Sequence, residues 1–153
     1  MKQLNQFINE KLKINKNIKS YKYSPKDKKE LISIIDDIAK NNELELLNEI
    51  DVSNITDLSC VFLDHDILKN KNFDISKWDV SNCENMNNIF DGCKEFDCDL
   101  NNWNVSNVKT IYCGFRGCKS FDMNNISNWN LPAFCKINDD TFDGCKKYPD
   151  WWM

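Results

Sequence analysis

The feature that most constrains this chain is an internal repeat. Trp78, Trp103 and Trp129 stand 25 and 26 residues apart, and the residues around them superimpose. The first copy runs Ile75, Trp78, Val80, Cys83, Met86, Ile89, Phe90, Gly92-Cys93 and Phe96. The second gives Leu100, Trp103, Val105, Val108, Ile111, Phe115, Gly117-Cys118 and Phe121. The third is looser: Ile126, Trp129, Leu131, Phe134, Phe142, Gly144-Cys145 and Tyr148. A degenerate copy precedes them at Leu47, Ile50, Val52, Ile55, Phe62 and Phe73, with a polar insertion at Asp64-His65-Asp66. A unit of this length cannot bury its apolar face alone, so successive copies must stack.

The spacing Ile75, Trp78, Val80, Cys83 fits L-x-x-L-x-L-x-x-N/C, which predicts a short strand with Trp78 and Val80 inward and Lys77, Asp79 and Ser81 outward. A helix is expected to follow. Ser81 and Glu84 form a capping-box pattern, Met86, Ile89 and Phe90 give one apolar face, and Asp91-Gly92 ends it. The expected fold is therefore an α/β solenoid of leucine-rich-repeat-like coils, one short parallel strand plus one short helix per repeat, with an α-helical N-terminal cap. The expected divisions are a basic helical segment over 1–46, about three and a half coils over 47–148, and an aromatic cap over 149–153.

The motif [IL]-x-x-W-[DN]-V-S-N, followed by an apolar stretch ending F-x-G-C-x-x-F, resembles the BspA-like leucine-rich-repeat family, with the 25-residue units also found in mycoplasma-type lipoproteins. The match covers Ile50 to Tyr148. The resemblance implies a solenoid used for binding, often on cell surfaces. The opening INEKLKINKN is similar to the N-termini of small proteins from gut Bacteroides phages.

Charge divides the chain. Met1 to Lys40 carry ten Lys against five Asp/Glu, and the remainder ten Lys/Arg against nineteen, giving +5 and −9. Leu4, Phe7, Ile8 and Leu12 predict a short amphipathic helix. A second is predicted through Leu31, Ile35 and Ile38, with Ser24 as N-cap and Pro25 at its first position. This segment reads as a cover for the first coil, or as an arm for a partner. MKQLNQFINEKLKINKN holds no continuous apolar run, so it reads as neither secretory signal nor membrane span, and a cytoplasmic protein is expected. The eight cysteines then read as buried thiols, with Cys93, Cys118 and Cys145 in an internal ladder.

Catalysis is not expected. His65 is read as an exposed loop residue, no metal-type Cys/His spacing or phosphate loop occurs, and Asn138, Asp139, Asp140 and Asp143 read as a helix start. No cofactor and no metal site is predicted. What remains is surface. The outward positions Glu49 and Asp51, Lys77 and Asp79, Asn102 and Asn104, Asn128 and Asn130 should line up as a polar concave strip held rigid before binding. Asp51, Asp79, Asn104 and Asn130 should tolerate substitution at little cost to stability. Trp151 and Trp152 read as a cover for the last coil or as aromatic anchors. The expected function is a non-catalytic protein-binding module, phage-borne and inhibiting or recruiting a host protein. The alternative is a surface or adhesin-type repeat protein exported by an unrecognised route. A protein partner is expected, with no membrane, and nucleic acid is disfavoured.

Overall fold

The computed structural model describes residues 20–63, 65–70 and 72–152, the last without its side chain. The copies stack in the expected register, but each coil is built from turns. Asp74 accepts the Ser76 N–H at 2.9 Å and Asp79 the Ser81 N–H at 3.0 Å, while Asn85 Oδ1 takes the Asn87 N–H at 3.0 Å. Between these Asx-turns, the N–H of Trp78 bonds the Ile75 carbonyl, that of Cys83 the Val80 carbonyl and that of Phe96 the Cys93 carbonyl. Short polar side chains and i to i+3 bonds thus consume N–H groups that a strand ladder would need. Among the described residues, parallel pairing is confined to isolated bridges, Asp57 to Asn85 to Thr110 to Lys136 and Tyr23 to Ile50.

The helix expected after each strand is also absent. Cys60, Asn88 and Cys113 adopt φ of 59, 53 and 54°, a left-handed conformation that no α-helix propagates through. Glu84 pairs with Lys109 at 2.7 Å instead of capping a helix. The stretch instead reaches the next coil: the N–H groups of Met86, Asn88, Phe90 and Gly92 bond the carbonyls of Thr110, Tyr112, Gly114 and Arg116 at 2.8–2.9 Å. The α/β solenoid of strand-plus-helix repeats is therefore overturned. The architecture is a stack of turn-built coils, bonded backbone to backbone along the run expected to be helical rather than at the Trp-Asp-Val segment.

The α-helix among the described residues, α1 (Lys28–Asn41), lies outside the repeats. Its N-cap is Asp27 rather than Ser24. The Asp27 carboxylate accepts the Glu30 N–H at 2.9 Å, while Glu30 reaches back to the Lys26 N–H, satisfying two orphan donors at once. Asn42, at φ 57°, ends the helix by returning its N–H to Ala39 and Ile38 carbonyls. Leu31, Ile35 and Ile38 are buried in the common core. Lys28 bonds Asp57 at 2.8 Å and Ser59 at 2.9 Å, and Asp36 meets His65 at 3.0 Å, tying α1 to the first coil. The helix expected over Leu4 to Leu12 lies outside the described residues.

The core consists of columns. Trp78, Trp103 and Trp129 stack with centroids 6.4 and 6.3 Å apart and planes within 2 and 13°. Each indole N–H crosses to the preceding coil: Trp78 to the Leu47 carbonyl, Trp103 to Ile75, Trp129 to Leu100, at 2.8–3.1 Å. Phe62, Phe90, Phe115 and Phe142 form a second column at 5.3–5.7 Å. The thiols of Cys93, Cys118 and Cys145 donate to the carbonyls of Phe62, Phe90 and Phe115 at 3.0–3.1 Å. Gly92, Gly117 and Gly144 turn the chain before each cysteine at φ of 75–79°, and a Cβ on Gly144 would stand 3.3 Å from the Gly117 Cα.

The last coil departs from the pattern. Pro132 occupies the place of Ser81 and Ser106 and has no N–H for the Asn130 side chain, so the Asx-turn is not made. A turn closed from the Cys135 N–H to the Pro132 carbonyl carries Phe134 on its outer side. Phe134, expected in the core, is 64% exposed, and Tyr148 is 54% exposed.

Candidate functional site

The outward residues of the middle coils do converge. Lys77, Asp79, Asn102 and Asn104 line one shallow groove of about 300 Å³, with Ser76 and the edge of Trp78 as its floor. Asn130 lies in an adjoining hollow of about 290 Å³ with Leu131, Pro132, Ile137 and Trp151. Asn128 is exposed one coil on from Asn102. Glu49 is exposed at the end of the 3-10 segment Leu44–Glu49, its carbonyl accepting the N–H groups of Lys22 and Tyr23.

The row is not made of interchangeable surface side chains. Asp51 accepts the Ser53 N–H at 3.1 Å and the Ser53 hydroxyl at 2.6 Å, and is half-buried. Asp79 and Asn104 accept the N–H groups of Ser81 and Ser106. These three build the corners of their coils, a duty that the expectation of substitution at little cost did not include. Lys77, Asn102 and Asn128 have no such duty. The Asn82 and Asn107 amides of the same motif donate to the Ser53 and Ser81 carbonyls of the preceding coils, at 2.8 and 2.6 Å, holding the groove's spacing.

Trp151 lies apart from this face in role. Its indole donates to the Ile126 carbonyl at 3.3 Å, the place in the series that a further Trp of the column would take, and its ring meets Phe142 edge-on at 5.9 Å. It closes part of the last coil. The Trp152 side chain lies outside the described residues.

The groups weighed for chemistry are held as follows among the described residues. His65 is half-buried, not a free loop residue. Its Nδ1 accepts the Ile67 N–H at 3.1 Å, which places the proton on Nε2, against Asp36. Neither nitrogen is left to act as a base. Burial drives the Cys118 thiol far above the usual range, with the neighbouring Cys93 and Cys145 adding to the effect, and pushes Cys83, Cys98 and Cys145 up to about 11. Protonated thiols of this kind are poor nucleophiles. The Asn138 cluster opens the 3-10 segment Asp139–Phe142, Asn138 exchanging bonds with Thr141. Among the described residues, no three His, Cys, Asp or Glu side chains gather as a metal site, and no helix is long and apolar enough to cross a membrane.

Sequence reasoning passed over one exposed feature. Lys94, Lys119 and Lys146 follow the column cysteines directly, and their signal, Gly-Cys-Lys in three copies, stands in the sequence.

Residues 29–150 match the model of a family described as Mycoplasma protein of unknown function, DUF285. No curated protein and no solved structure matches the chain.

Proposed function

We propose, since this chain belongs to the DUF285 family, a mycoplasma repeat family related to the BspA-like repeats, that it is a non-catalytic module binding another protein through its polar row. The observation carrying this reading is the groove that gathers Lys77, Asp79, Asn102 and Asn104. Its walls are set by stacked indoles and by amide bonds between coils, so the groups are in place before a partner arrives. Preorganisation of this kind lowers the ordering cost of association. The mixture of an ammonium, carboxylates and amides suits hydrogen bonding to polypeptide, and the buried indoles offer no open ring face on which a sugar could stack.

The sharper version is a phage-borne protein acting in the host cytoplasm to block or recruit a host component. It rests on the resemblance of INEKLKINKN to phage proteins. The relation to BspA-like repeats favours the alternative of a surface repeat protein, and fractionating the native source cells separates the two.

The test uses side chains with no structural duty. Lys77→Glu, Asn102→Lys and Asn128→Lys together should leave the melting temperature within about a degree and weaken capture of one specific protein by roughly fivefold or more. Capture that survives these changes, yet is lost when Trp151 is altered, would move the interface to the end of the stack.

A further inference from the structure

The second surface of the stack is the Gly-Cys-Lys edge. Each of the three tryptophan-centred copies places Lys at the position after the column cysteine, at Lys94, Lys119 and Lys146, and the last adds Lys147. All four are exposed, and none makes an ion pair among the described residues, in contrast to Lys28, Lys69, Lys109 and Arg116. The fold does not require lysine there. The bonds it makes at this position are main-chain ones, from the Lys94 and Lys119 N–H groups to the Gly92 and Gly117 carbonyls, open to almost any residue. Exposed positions elsewhere change type from coil to coil, as at Lys77, Asn102 and Asn128, or at Arg116 and Asp143. An exposed residue held identical through three copies, where its exposed neighbours vary, is kept for what it meets outside the stack.

Three grooves run together along this edge, of about 370, 310 and 300 Å³. The first two share Leu68, Lys69 and Glu95, and the last two share Asp97 and Ser120. We propose that this lysine edge docks an extended acidic polypeptide segment lying across the coils. The carboxylates Glu95, Asp97 and Asp122 between the lysines select the class of polyanion. A phosphodiester backbone brings only acceptors and continuous charge to such a surface, and would be repelled by them. A polypeptide brings carboxylates for the lysines and main-chain N–H groups for the acids. The phenylalanines that line the grooves, Phe73, Phe96 and Phe121, are buried in the core and present no open face for a base, and none of the exposed large apolar side chains, Leu63, Tyr112, Phe134 and Tyr148, lines them.

The experiment measures fluorescence anisotropy of a labelled oligoglutamate peptide and of a single-stranded oligonucleotide of matched charge, each titrated with the full chain at low and moderate salt. The peptide should bind more tightly than the oligonucleotide, and added salt should weaken it. Lys94→Gln, Lys119→Gln and Lys146→Gln combined should weaken the peptide by roughly tenfold or more, while the triple Lys→Arg variant and Lys29→Gln, at an exposed lysine of α1, bind like the parent. Absence of peptide binding at low salt, tighter binding of the oligonucleotide, an unchanged Gln variant, or loss of binding in the Arg variant would each overturn the proposal.

Discussion

The two inner coils, centred on Trp78 and Trp103, and the last, centred on Trp129, are written in the same motif but solve different problems. In the inner coils each side chain column has a neighbour on both sides, every Asx corner is closed, and Phe90 and Phe115 are sealed between rings above and below. The last coil has a neighbour on one side only. It replaces the Asx corner with Pro132, leaves Phe134 in water, and uses Trp151 in place of a following coil's indole. The difference teaches that the motif specifies a contact surface more than a conformation. Where no further coil follows, Pro132 takes the place of the corner serine and a local turn replaces the Asx corner.

This comparison can be broken in several places. Trp103→Ala removes a ring stacked on both faces and should cost about 3 to 5 kcal/mol, whereas Trp151→Ala, half-buried at the end, should cost roughly 1 to 2 kcal/mol. Urea midpoints read both, and equal losses would mean that inner and terminal coils are equivalent. Gly117→Ala, at φ 75°, should cost about 1 to 2 kcal/mol through left-handed strain, and Phe134→Ser should stay within about 0.5 kcal/mol because its ring already faces water. Asp79→Lys should cost about 1 kcal/mol by opening the corner bond to Ser81, and Asp79→Asn less, since the amide oxygen accepts the same N–H. An Asp79→Lys protein as stable as the parent would return that residue to the freely variable surface.

The smallest effect concerns the other end. Burial alone would raise the Asp57 carboxyl, but the bonds from Lys28 and Ser59 outweigh it and hold the group below its ordinary value. A carboxyl depressed in the folded state stabilises above its unfolded value, and that contribution disappears as pH falls through the folded one. Protection of the α1 amides, taken relative to their intrinsic exchange rates, should therefore fall below the ordinary carboxylate range sooner than protection in the inner coils. Lys28→Met should abolish the difference, and a difference that persists would assign it to another group.

The repeat, its register and nearly all of its core residues were legible in the sequence, because apolar spacing records which side chains face inward. What lay between them was not. The alternation at Trp78 and Val80 fits a strand, and Met86, Ile89 and Phe90 fit a helix, yet Asp79 binds the Ser81 N–H and Asn88 turns left-handed, so neither element can propagate. The Asp and Asn that defeat those elements read equally as outward polar residues, which is why the candidate site absorbed corner-forming groups. Spacing alone places Lys77 and Asn102 in the groove and Asn128 on the exposed surface one coil on. The Gly-Cys-Lys triplet carries no apolar spacing beyond its cysteine, so the periodicity that marks the core gives no sign of the lysine that follows.

The hand-over of each indole N–H to the carbonyl three residues before the equivalent position of the preceding coil, Ile50, Trp78 or Trp103, makes the chain editable in whole units. Excising residues 78–102, 25 positions, would join Lys77 to Trp103 and leave the Trp103 indole facing the Leu47 carbonyl in place of Ile75. The Phe, Cys and Gly columns would close over the gap in the same register, with two charge pairings lost, the Asp91 partner of Arg116 and the Glu84 partner of Lys109. Length in this protein is thus a quantised variable: ancestry can add or remove a coil without redesigning a single corner, and the span of any surface along the stack changes in equal steps.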